Sequence, residues 1–548
     1  MRLIIPFASA YSAVRGIYSR SMTSVASVDH SRSDTTIRNF LKEVYQKSHP
    51  RNVMSVFITG GGTTSLEWLF TVPGASGSLM DAGVVYSRSA LEKFIQSTIH
   101  DQGASACSSA TALAMADSSW TRANELLLAE SRDFNDLRDV AVFGVSCSAS
   151  LLSDIPKKGP HRVFVASTTQ TKSSIYTIEL QKGYRSRVME DAVCSRLLLE
   201  AIARASGVEP LPSDYLIHSA DDTVSDSSRS SDNPITESVL THTIERKDIL
   251  DRICRKEVKQ ALFVKRLRKS DSSNVGDEKV GDVHEKFLVL EDVPLPKGTL
   301  VFPGSFNPLH EGHIALVVAG LRKIASATSS SQERIRCSSP QRNHREGDDT
   351  EEHEMWRKIP IVFEISAVNA DKPPLPREEI VRRIDQFDPF NNPALRAAGL
   401  TNIAVCVTSE PLFLQKSKLF ADCNFLIGSD TMARIINPKY YSSGPAVSAS
   451  GNTLEEGKAE ERREQQQVYA MVSALSAIAD RGCKFIVGGR LAGNQNESEA
   501  CFETLQSVSS SSRVDLPMNL INSLFEGLSE DEFRVDLSST QIRNQVQG

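Results

Sequence analysis

The segment from Phe302 to His313 constrains the fold of this chain more than any other feature. It reads Phe-Pro-Gly-Ser-Phe-Asn-Pro-Leu-His-Glu-Gly-His, and it follows the short apolar run Leu300–Phe302. A glycine turn between a strand and a helix is typical of open α/β sheets, whose ligands bind at the carboxyl ends of the strands. We therefore expect His310 and His313 at the start of the next helix, where the helix N-terminus favours an anion.

A second motif lies at the other end of the chain. Ser-Ser-Thr-Gln-Ile-Arg, residues 538–543, follows the strand-like run Arg534–Leu537. Ser539 and Thr540 are typical helix-capping residues, and Arg543 lies one turn further on. Capping hydroxyls, free amides and a guanidinium together suit phosphate oxygens. Each motif alone fits an ordinary turn or cap, whereas the pair favours a triphosphate site.

Between these motifs, residues 295–548 alternate strand and helix signals. This pattern predicts a Rossmann-like α/β fold, a doubly wound parallel sheet with helices on both faces. The strands expected after Leu300–Phe302 are Ile361–Ile365, Ile403–Val407, Phe425–Ile427 and Phe485–Val487. Gly304–His313, Gly428–Asp430 and Gly488–Arg490 each follow a strand, so we expect them at one edge of the sheet.

These residues resemble a known family. Gly304, Ser305 and Phe306, followed by Asn-Pro, resemble the start of the nicotinamide or nicotinate mononucleotide adenylyltransferases, which belong to the HxGH-motif nucleotidyltransferases with a cytidylyltransferase-like domain. Phe425–Asp430 is similar to the Gly-x-Asp segment of that group, in which Gly428 and Asp430 would bind nucleotide. The Lys-Met-Ser-Lys-Ser motif of aminoacyl-tRNA synthetases and the Arg-Tyr-Val-x-Gly motif of phosphocholine cytidylyltransferases are absent from the sequence.

The resemblance implies a reaction and its cofactor. ATP or CTP would be the donor, Mg²⁺ would accompany it, and pyrophosphate would leave. His310 and His313 would stabilise charge on the α-phosphate, while Ser539, Thr540 and Arg543 would hold the leaving pyrophosphate. A small phosphate-bearing acceptor is expected, nicotinamide or nicotinate mononucleotide among the candidates.

Two basic residues are candidates for contacting that acceptor. Lys372 follows the predicted strand Ile361–Ile365, where this superfamily places acceptor contacts, although a solvated loop lysine fits the sequence equally well. Arg490 follows Phe485–Val487 on the same expected edge and is a candidate phosphate ligand.

Residues 36–212 read as a first α/β region. Strands are expected at Val53–Ile58, Gly83–Tyr86, Val140–Val145, Arg162–Ala166 and Ile175–Leu180, with a last helix near Val188–Ala205. The motifs at Thr59–Gly61, Val72–Ser76 and Gly83–Ser87 resemble the C-terminal domain of the competence-damage-inducible (CinA) proteins, which deamidates nicotinamide mononucleotide.

The catalytic residues of that family are missing here. Val56, Phe57 and Ile58 stand where the family has Glu-Ser-Cys, and Leu91 stands at its lysine position, although Tyr86 remains. Because phenylalanine cannot act as a nucleophile, we expect a non-catalytic module. Ser65 and Ser76 are the alternative nucleophiles, and neither has a basic residue nearby in the sequence.

Polar tracts divide the remaining chain. Residues 1–35, rich in Arg and Ser and without an acid before Asp29, read as a transit peptide or a disordered tail. Residues 213–294 are expected to be a linker with a charged helix at Glu245–Lys269. Residues 326–354 and 442–467 read as surface insertions in the C-terminal region.

Composition excludes several classes of protein. A net charge of −6 argues against a nucleic-acid partner. Nine scattered cysteines give neither a disulfide framework nor a metal site, which favours a reducing compartment. No apolar stretch is long enough to cross a membrane, so a soluble cytoplasmic or mitochondrial protein is expected. A homo-oligomer is compatible with the sequence.

The expected function is transfer of a nucleotidyl group, adenylyl in preference to cytidylyl. One alternative is cytidylyl transfer to a phospho-alcohol. Another, from a different class, is a non-catalytic protein that senses a nucleotide.

Overall fold

The computed structural model describes most of the chain between residues 30 and 534. The described ranges are 30–96, 105–131, 133–212, 237–267, 283–333, 358–368, 373–389, 391–441, 453–489, 491–492, 501–502 and 518–534. Within them, helices and strands alternate and form two mixed sheets, which confirms the α/β class. No helix in these ranges is long and apolar enough to span a membrane.

The N-terminal sheet has six strands in the described part of the chain. Their order is β2-β1-β3-β4-β5-β6, with β2, β1 and β3 parallel and the others antiparallel. The strands are β1 (Arg51–Thr59), β2 (Leu79–Val84), β3 (Val140–Ser150), β4 (His161–Thr169), β5 (Lys172–Leu180) and β6 (Leu240–Glu245). The helices are α1 (His30–Gln46), α2 (Thr63–Thr71), α3 (Arg88–Ile95), α4 (Ser109–Glu130) and α5 (Arg187–Ser206).

Helix α4 packs directly onto strand β3 at Gly144. A Cβ atom at Gly144 would lie 2.1 Å from the backbone nitrogen of Trp120 and 2.4 Å from the carbonyl oxygen of Ala116. Only glycine allows the helix and the strand to approach this closely. Gly144 therefore sets how deeply α4 lies on the sheet.

The C-terminal sheet has eight described strands, in the order β16-β13-β12-β9-β10-β11-β7-β8. They are β7 (Gln260–Lys265), β8 (Phe287–Glu291), β9 (Leu300–Pro303), β10 (Ile361–Ser366), β11 (Ile403–Thr408), β12 (Asn424–Gly428), β13 (Lys484–Gly488) and β16 (Phe525–Gly527). A separate antiparallel pair is β14 (Leu491–Ala492) and β15 (Cys501–Phe502). The helices are α6 (Ile249–Cys254), α7 (Val283–Lys286), α8 (Glu311–Glu333), α9 (Arg377–Ile384), α10 (Pro393–Ala397), α11 (Phe413–Leu419), α12 (Ser429–Ile435), α13 (Thr453–Asp480) and α14 (Met518–Leu524).

This sheet corrects the expectation of a purely parallel one. Strands β16 to β11 run parallel, but β7 and β8 add an antiparallel edge. Both come from the segment expected to be a linker. Of the described residues in the predicted helix Glu245–Lys269, those of α6 are helical and those of β7 form a strand. The reason is that Gln-Ala-Leu-Phe-Val-Lys in β7 is a short apolar run, which periodicity cannot assign to helix or strand.

The parallel strands are buried on both faces, as their nearly continuous apolar sequences require. Val301 belongs to one apolar core and its neighbours Leu300 and Phe302 to the other. Helices α8 and α9 contribute to the core that contains Phe302, and α13 and α14 to the core that contains Val301. Helices therefore cover both faces.

The two sheets are joined by direct contacts. Trp120 and Leu128 of the N-terminal half share an apolar core with Leu288 of β8. The backbone N–H of Phe134 donates to Asn402 Oδ1 at 2.9 Å, and Arg266 Nη1 donates to the Val140 carbonyl oxygen at 2.8 Å. The junction is thus an apolar interface reinforced by hydrogen bonds.

Two of the polar tracts expected as insertions are partly helical. Helix α8 extends to Glu333, into the tract 326–354, and α13 begins at Thr453, inside the tract 442–467. Residues 1–29, 213–236 and the remainder of these tracts lie outside the described residues.

Candidate functional site

The glycine turn predicted after β9 is built around a buried phenylalanine. Phe306 is fully buried, and its ring packs edge-on against Phe302, Phe363 and Phe387. Its backbone φ is 43°, in the left-handed region that a bulky residue seldom adopts. A Cβ atom at Gly304 would lie 2.5 Å from this ring. Glycine is therefore required at position 304 by packing inside the turn.

Side chains of helix α9 and the residues just after it hold the turn in place. Arg383 Nη1 donates to the carbonyl oxygen of Ser305 at 2.9 Å, and Arg382 Nη2 donates to Asn307 Oδ1 at 2.6 Å. The side-chain amide of Gln386 donates to the Phe306 carbonyl at 3.0 Å and accepts from the Leu309 N–H at 2.8 Å. The turn is preorganised by this second element, whose contacts with the turn the sequence pattern does not predict.

The two histidines stack on each other where helix α8 begins. The ring centroids of His310 and His313 are 3.7 Å apart, with an interplanar angle of 28°. The backbone N–H of His310 donates to His313 Nδ1 at 3.3 Å. Because Nδ1 accepts, the proton of neutral His313 sits on Nε2, which leaves Nε2–H as a donor. His313 also packs against Phe306, at 5.2 Å between centroids.

Both imidazoles are held neutral. Burial lowers the pKa of His310, and burial together with the neighbouring His310 lowers the pKa of His313 to about 3. At neutral pH they are therefore uncharged hydrogen-bond donors and acceptors in the absence of an anionic ligand.

This environment predicts a pH dependence of stability. Unfolded His313 binds a proton below a pH of about 6.5, whereas folded His313 stays neutral down to a pH of about 3. Stability is therefore expected to fall as pH drops through this window, by up to about 1.4 kcal/mol per pH unit for one proton. Urea denaturation at pH 7, 6 and 5 measures the slope. His313→Asn should flatten it, and an unchanged slope in that variant would contradict the pKa assignment.

Other predicted residues lie at the same edge of the sheet. Strands β9, β12 and β13 are neighbours and run parallel, so the turn at Gly304, Gly428 and Gly488 all occupy the carboxyl end. Gly428 precedes helix α12, and apart from its two chain neighbours no described residue has an atom within 4 Å of where its Cβ would be. Asp430 is exposed in the first turn of that helix. Among the described residues, the space beside Gly428 is therefore open, whereas Leu316 and Phe533 lie close to Gly488.

Five predicted site residues belong to segments that the structure does not describe. Lys372, Arg490, Ser539, Thr540 and Arg543 lie outside the described residues, so their roles stay predictions.

The last described residues nevertheless approach the histidine helix. Glu532, Phe533 and Arg534 line a cavity of about 500 Å³ together with Glu311 and Ile314 of helix α8. Lys323 of the same helix pairs with Glu532 at 3.0 Å. The chain thus leaves the described region beside α8, nine residues before Arg543.

A buried ion pair lies at the same edge, on strand β10 directly beside β9. Lys416 Nζ contacts Glu364 Oε2 at 2.6 Å and Ser366 Oγ at 2.9 Å, and Thr408 Oγ1 donates to Glu364 Oε1 at 2.5 Å. Glu364 and Lys416 are 0% and 4% exposed. The sequence signal was a single acid within the apolar strand Ile361–Ser366, which the prediction did not use.

The N-terminal half has its own cavity, of about 220 Å³, at the turn after β1. Its wall contains Gly60, Thr63, Thr64, Tyr86 and Asp191. Asp191 accepts hydrogen bonds from the backbone N–H groups of Gly62, Thr63 and Thr64 at 2.8, 3.1 and 3.0 Å, and from both threonine hydroxyls. The N-terminus of α2, a natural anion site, is thus occupied by a carboxylate of the chain itself.

Neither proposed substitute nucleophile lines this cavity. Ser65 is fully buried and donates to the Gly62 carbonyl at 2.6 Å, whereas Ser76 is exposed in the turn before β2. Phe57, at the position of the family's serine, stacks on Phe94 at 4.2 Å between centroids. Tyr86 is 79% exposed at the rim.

Removing the Asp191 carboxylate is expected to destabilise the protein. Burial raises the pKa of this carboxyl, but the hydrogen bonds from Thr64 and Thr63 outweigh burial and hold it below its usual value. Asp191→Ala leaves three backbone donors without their acceptor, so we expect a loss of about 1–3 kcal/mol in the free energy of unfolding. Asp154→Ala, at an exposed aspartate, is the control in urea denaturation. If Asp191→Ala and Asp154→Ala had equal free energies of unfolding, the Asp191 carboxylate would not stabilise the N-terminus of α2.

Among the described residues, no group of three or more His, Cys, Asp or Glu side chains is arranged to hold a metal ion.

Three solved structures of the competence-damage-inducible class are similar to part of this chain. They are CihA from Agrobacterium tumefaciens (16% identity, 31% of this chain and 94% of that chain, TM-score 0.25), a CinA superfamily protein from Escherichia coli (14%, 33% and 91%, TM-score 0.23) and one from Enterobacter cloacae (13%, 34% and 98%, TM-score 0.25). The likeness is weak and concerns about a third of the chain.

Sequence comparisons give no further assignment. No protein-family model matches the chain, and no curated protein matches it either.

Proposed function

We propose that this protein transfers a nucleotidyl group, adenylyl in preference to cytidylyl, from a nucleoside triphosphate to a phosphate-bearing acceptor. An acceptor oxygen attacks the α-phosphorus, the bond from this phosphorus to the bridging oxygen breaks, and pyrophosphate leaves. Nicotinamide or nicotinate mononucleotide is the acceptor that the sequence resemblance favours. Mg²⁺ would arrive with the triphosphate, whose oxygens are its usual ligands.

One observation carries the proposal: a stacked, neutral histidine pair at the start of α8, beside the carboxyl edge of a parallel sheet. Developing negative charge on the α-phosphate needs fixed donors rather than mobile water. The Nε2–H of His313 can supply one such donor, and its ring is held by Phe306 and by the His310 backbone. The helix N-terminus adds a favourable field.

The assignment to the HxGH type of Rossmann-like fold is part of this proposal. Its support is the run of six parallel strands, the helical cover on both faces, and the position of Gly304 and Gly428 at adjacent strand ends. In the same scheme, Ser539, Thr540 and Arg543 hold the β- and γ-phosphates, and Lys372 and Arg490 meet the acceptor.

For the N-terminal half we propose a CinA-like module without deamidase activity. Its support is that Phe57 packs where a serine would be needed and that Asp191 occupies the helix N-terminus. The full chain is expected to release no ammonia from nicotinamide mononucleotide. Ammonia release that is lost in Tyr86→Phe would overturn this part of the proposal.

The transfer itself is tested with purified full-length protein, Mg²⁺ and a panel of phosphate-bearing acceptors. ATP and CTP are compared as donors, pyrophosphate is measured, and the product is identified by mass spectrometry. We expect pyrophosphate release with ATP and a mononucleotide. Preference for CTP with a phospho-alcohol would favour the cytidylyl alternative, and nucleotide binding without any product would favour a sensor.

A further inference from the structure

A cavity of about 350 Å³ lies where the N-terminal half meets strands β7 and β8, away from both sites described above. We call it the junction cavity. One side is formed by the end of α5 and the hairpin Thr169–Lys172, and the other by Arg266, His284 and Val289. Its volume is within the range of small-molecule sites. A ligand here would contact both halves of the chain.

The charge of the cavity wall is one-sided. Lys172, Arg204 and Arg266 line it, and among the described residues of the wall there is no Asp or Glu. Arg204 pairs with Glu200 at 2.8 Å, but only through Nε. Arg266 donates to the Val140 carbonyl and, at 3.4 Å, to Gln170 Oε1, both of which are uncharged acceptors. Three cations that line one cavity favour an anionic ligand. The guanidinium groups of arginine, in particular, have hydrogen-bond donors spaced to bind phosphate oxygens.

The wall also contains polar atoms that lack partners in the described structure. Asn124 is 1% exposed, and neither its amide nitrogen nor its amide oxygen has a hydrogen bond. The indole N–H of Trp120, 2% exposed, has none either. A buried polar group without a partner is destabilising, so such groups usually meet a ligand or an ordered water. An amide that needs both a donor and an acceptor matches the edge of a nucleobase.

We propose that the junction cavity binds a small phosphate-bearing molecule of mononucleotide size. Lys172, Arg204 and Arg266 bind its phosphate. The side-chain amide of Asn124 hydrogen-bonds to one donor and one acceptor on the rest of the molecule. The floor of the site is rigid, because the Gln170 amide donates to the Phe287 carbonyl at 2.9 Å and accepts from the Val289 N–H at 3.1 Å.

The test is calorimetric titration of the full chain with adenosine monophosphate, and with inorganic phosphate as the simpler probe. We expect saturable binding of the mononucleotide and a weakening of about tenfold or more in Lys172→Ala, since one charge-assisted contact is lost. Asn124→Leu should weaken it comparably. Lys93→Ala, at an exposed lysine of α3, should bind as the unaltered chain does.

His313→Ala separates this site from the proposed catalytic one. Binding that survives in His313→Ala and is weakened in Lys172→Ala supports the junction cavity. Binding lost in His313→Ala but kept in Lys172→Ala assigns the nucleotide to the histidine site and overturns the inference, as does no binding at millimolar concentration. Thermal melting of each variant checks that it is folded.

Discussion

Replacing His313 by alanine is expected to lower the rate of the proposed nucleotidyl transfer about 10²–10³-fold, the usual effect of removing one transition-state donor. The structure gives the physical reason. His313 Nδ1 accepts from the His310 N–H, which leaves Nε2–H as the donor, and burial keeps the ring neutral. The measurement is pyrophosphate release at saturating ATP, so that kcat is read separately from KM.

Two further variants sharpen this prediction. His242→Ala removes an exposed histidine on the edge strand β6 and should leave the rate unchanged. His313→Asn retains a neutral side-chain N–H and should recover part of the loss. A rate for His313→Ala within threefold of the unaltered chain would contradict the role given to this imidazole.

The largest expected effect on stability is that of Lys416→Met. This change leaves the fully buried carboxylate of Glu364 without its cation, and breaking a buried ion pair in this way costs about 3–5 kcal/mol. Urea denaturation should show the loss as a lower midpoint. The hydroxyl groups of Ser366 and Thr408 remain but cannot neutralise the charge.

The double variant Glu364→Leu with Lys416→Met should recover most of that stability, because two apolar side chains of similar volume replace the pair. Lys418→Met, at an exposed lysine of the same helix, is the matched control. If Lys416→Met unfolds at the same urea concentration as this control, the pair contributes no stability.

Much of the sheet architecture could be predicted from apolar runs. Val53–Ile58 and Ile361–Ile365 lie within β1 and β10, because buried parallel strands read as continuous apolar segments. The strand expected at Gly83–Tyr86 is instead Leu79–Val84, since its Asp and Gly residues interrupt the apolar signal. Strand β7 was wrongly assigned to a helix, and β8 was not identified.

The site was predictable only where its residues are neighbours in sequence. The order of Gly304, His310 and His313 was enough to expect a turn and a helix start. Hydrogen-bond and ion-pair partners that are distant in the sequence could not be predicted in this way. Arg383 is 78 residues from Ser305, and Lys416 is 52 residues from Glu364, so only the fold brings these groups together.

The central claim is that the two distant motifs form one triphosphate pocket. Its most direct test is pyrophosphate release by Arg543→Ala, compared with Arg534→Ala, which alters an exposed arginine paired with Glu530. The account predicts that Arg543→Ala loses activity at least about 10²-fold, as His313→Ala does, while Arg534→Ala retains it. Full activity of Arg543→Ala beside an inactive His313→Ala would show that the C-terminal motif takes no part in the pocket.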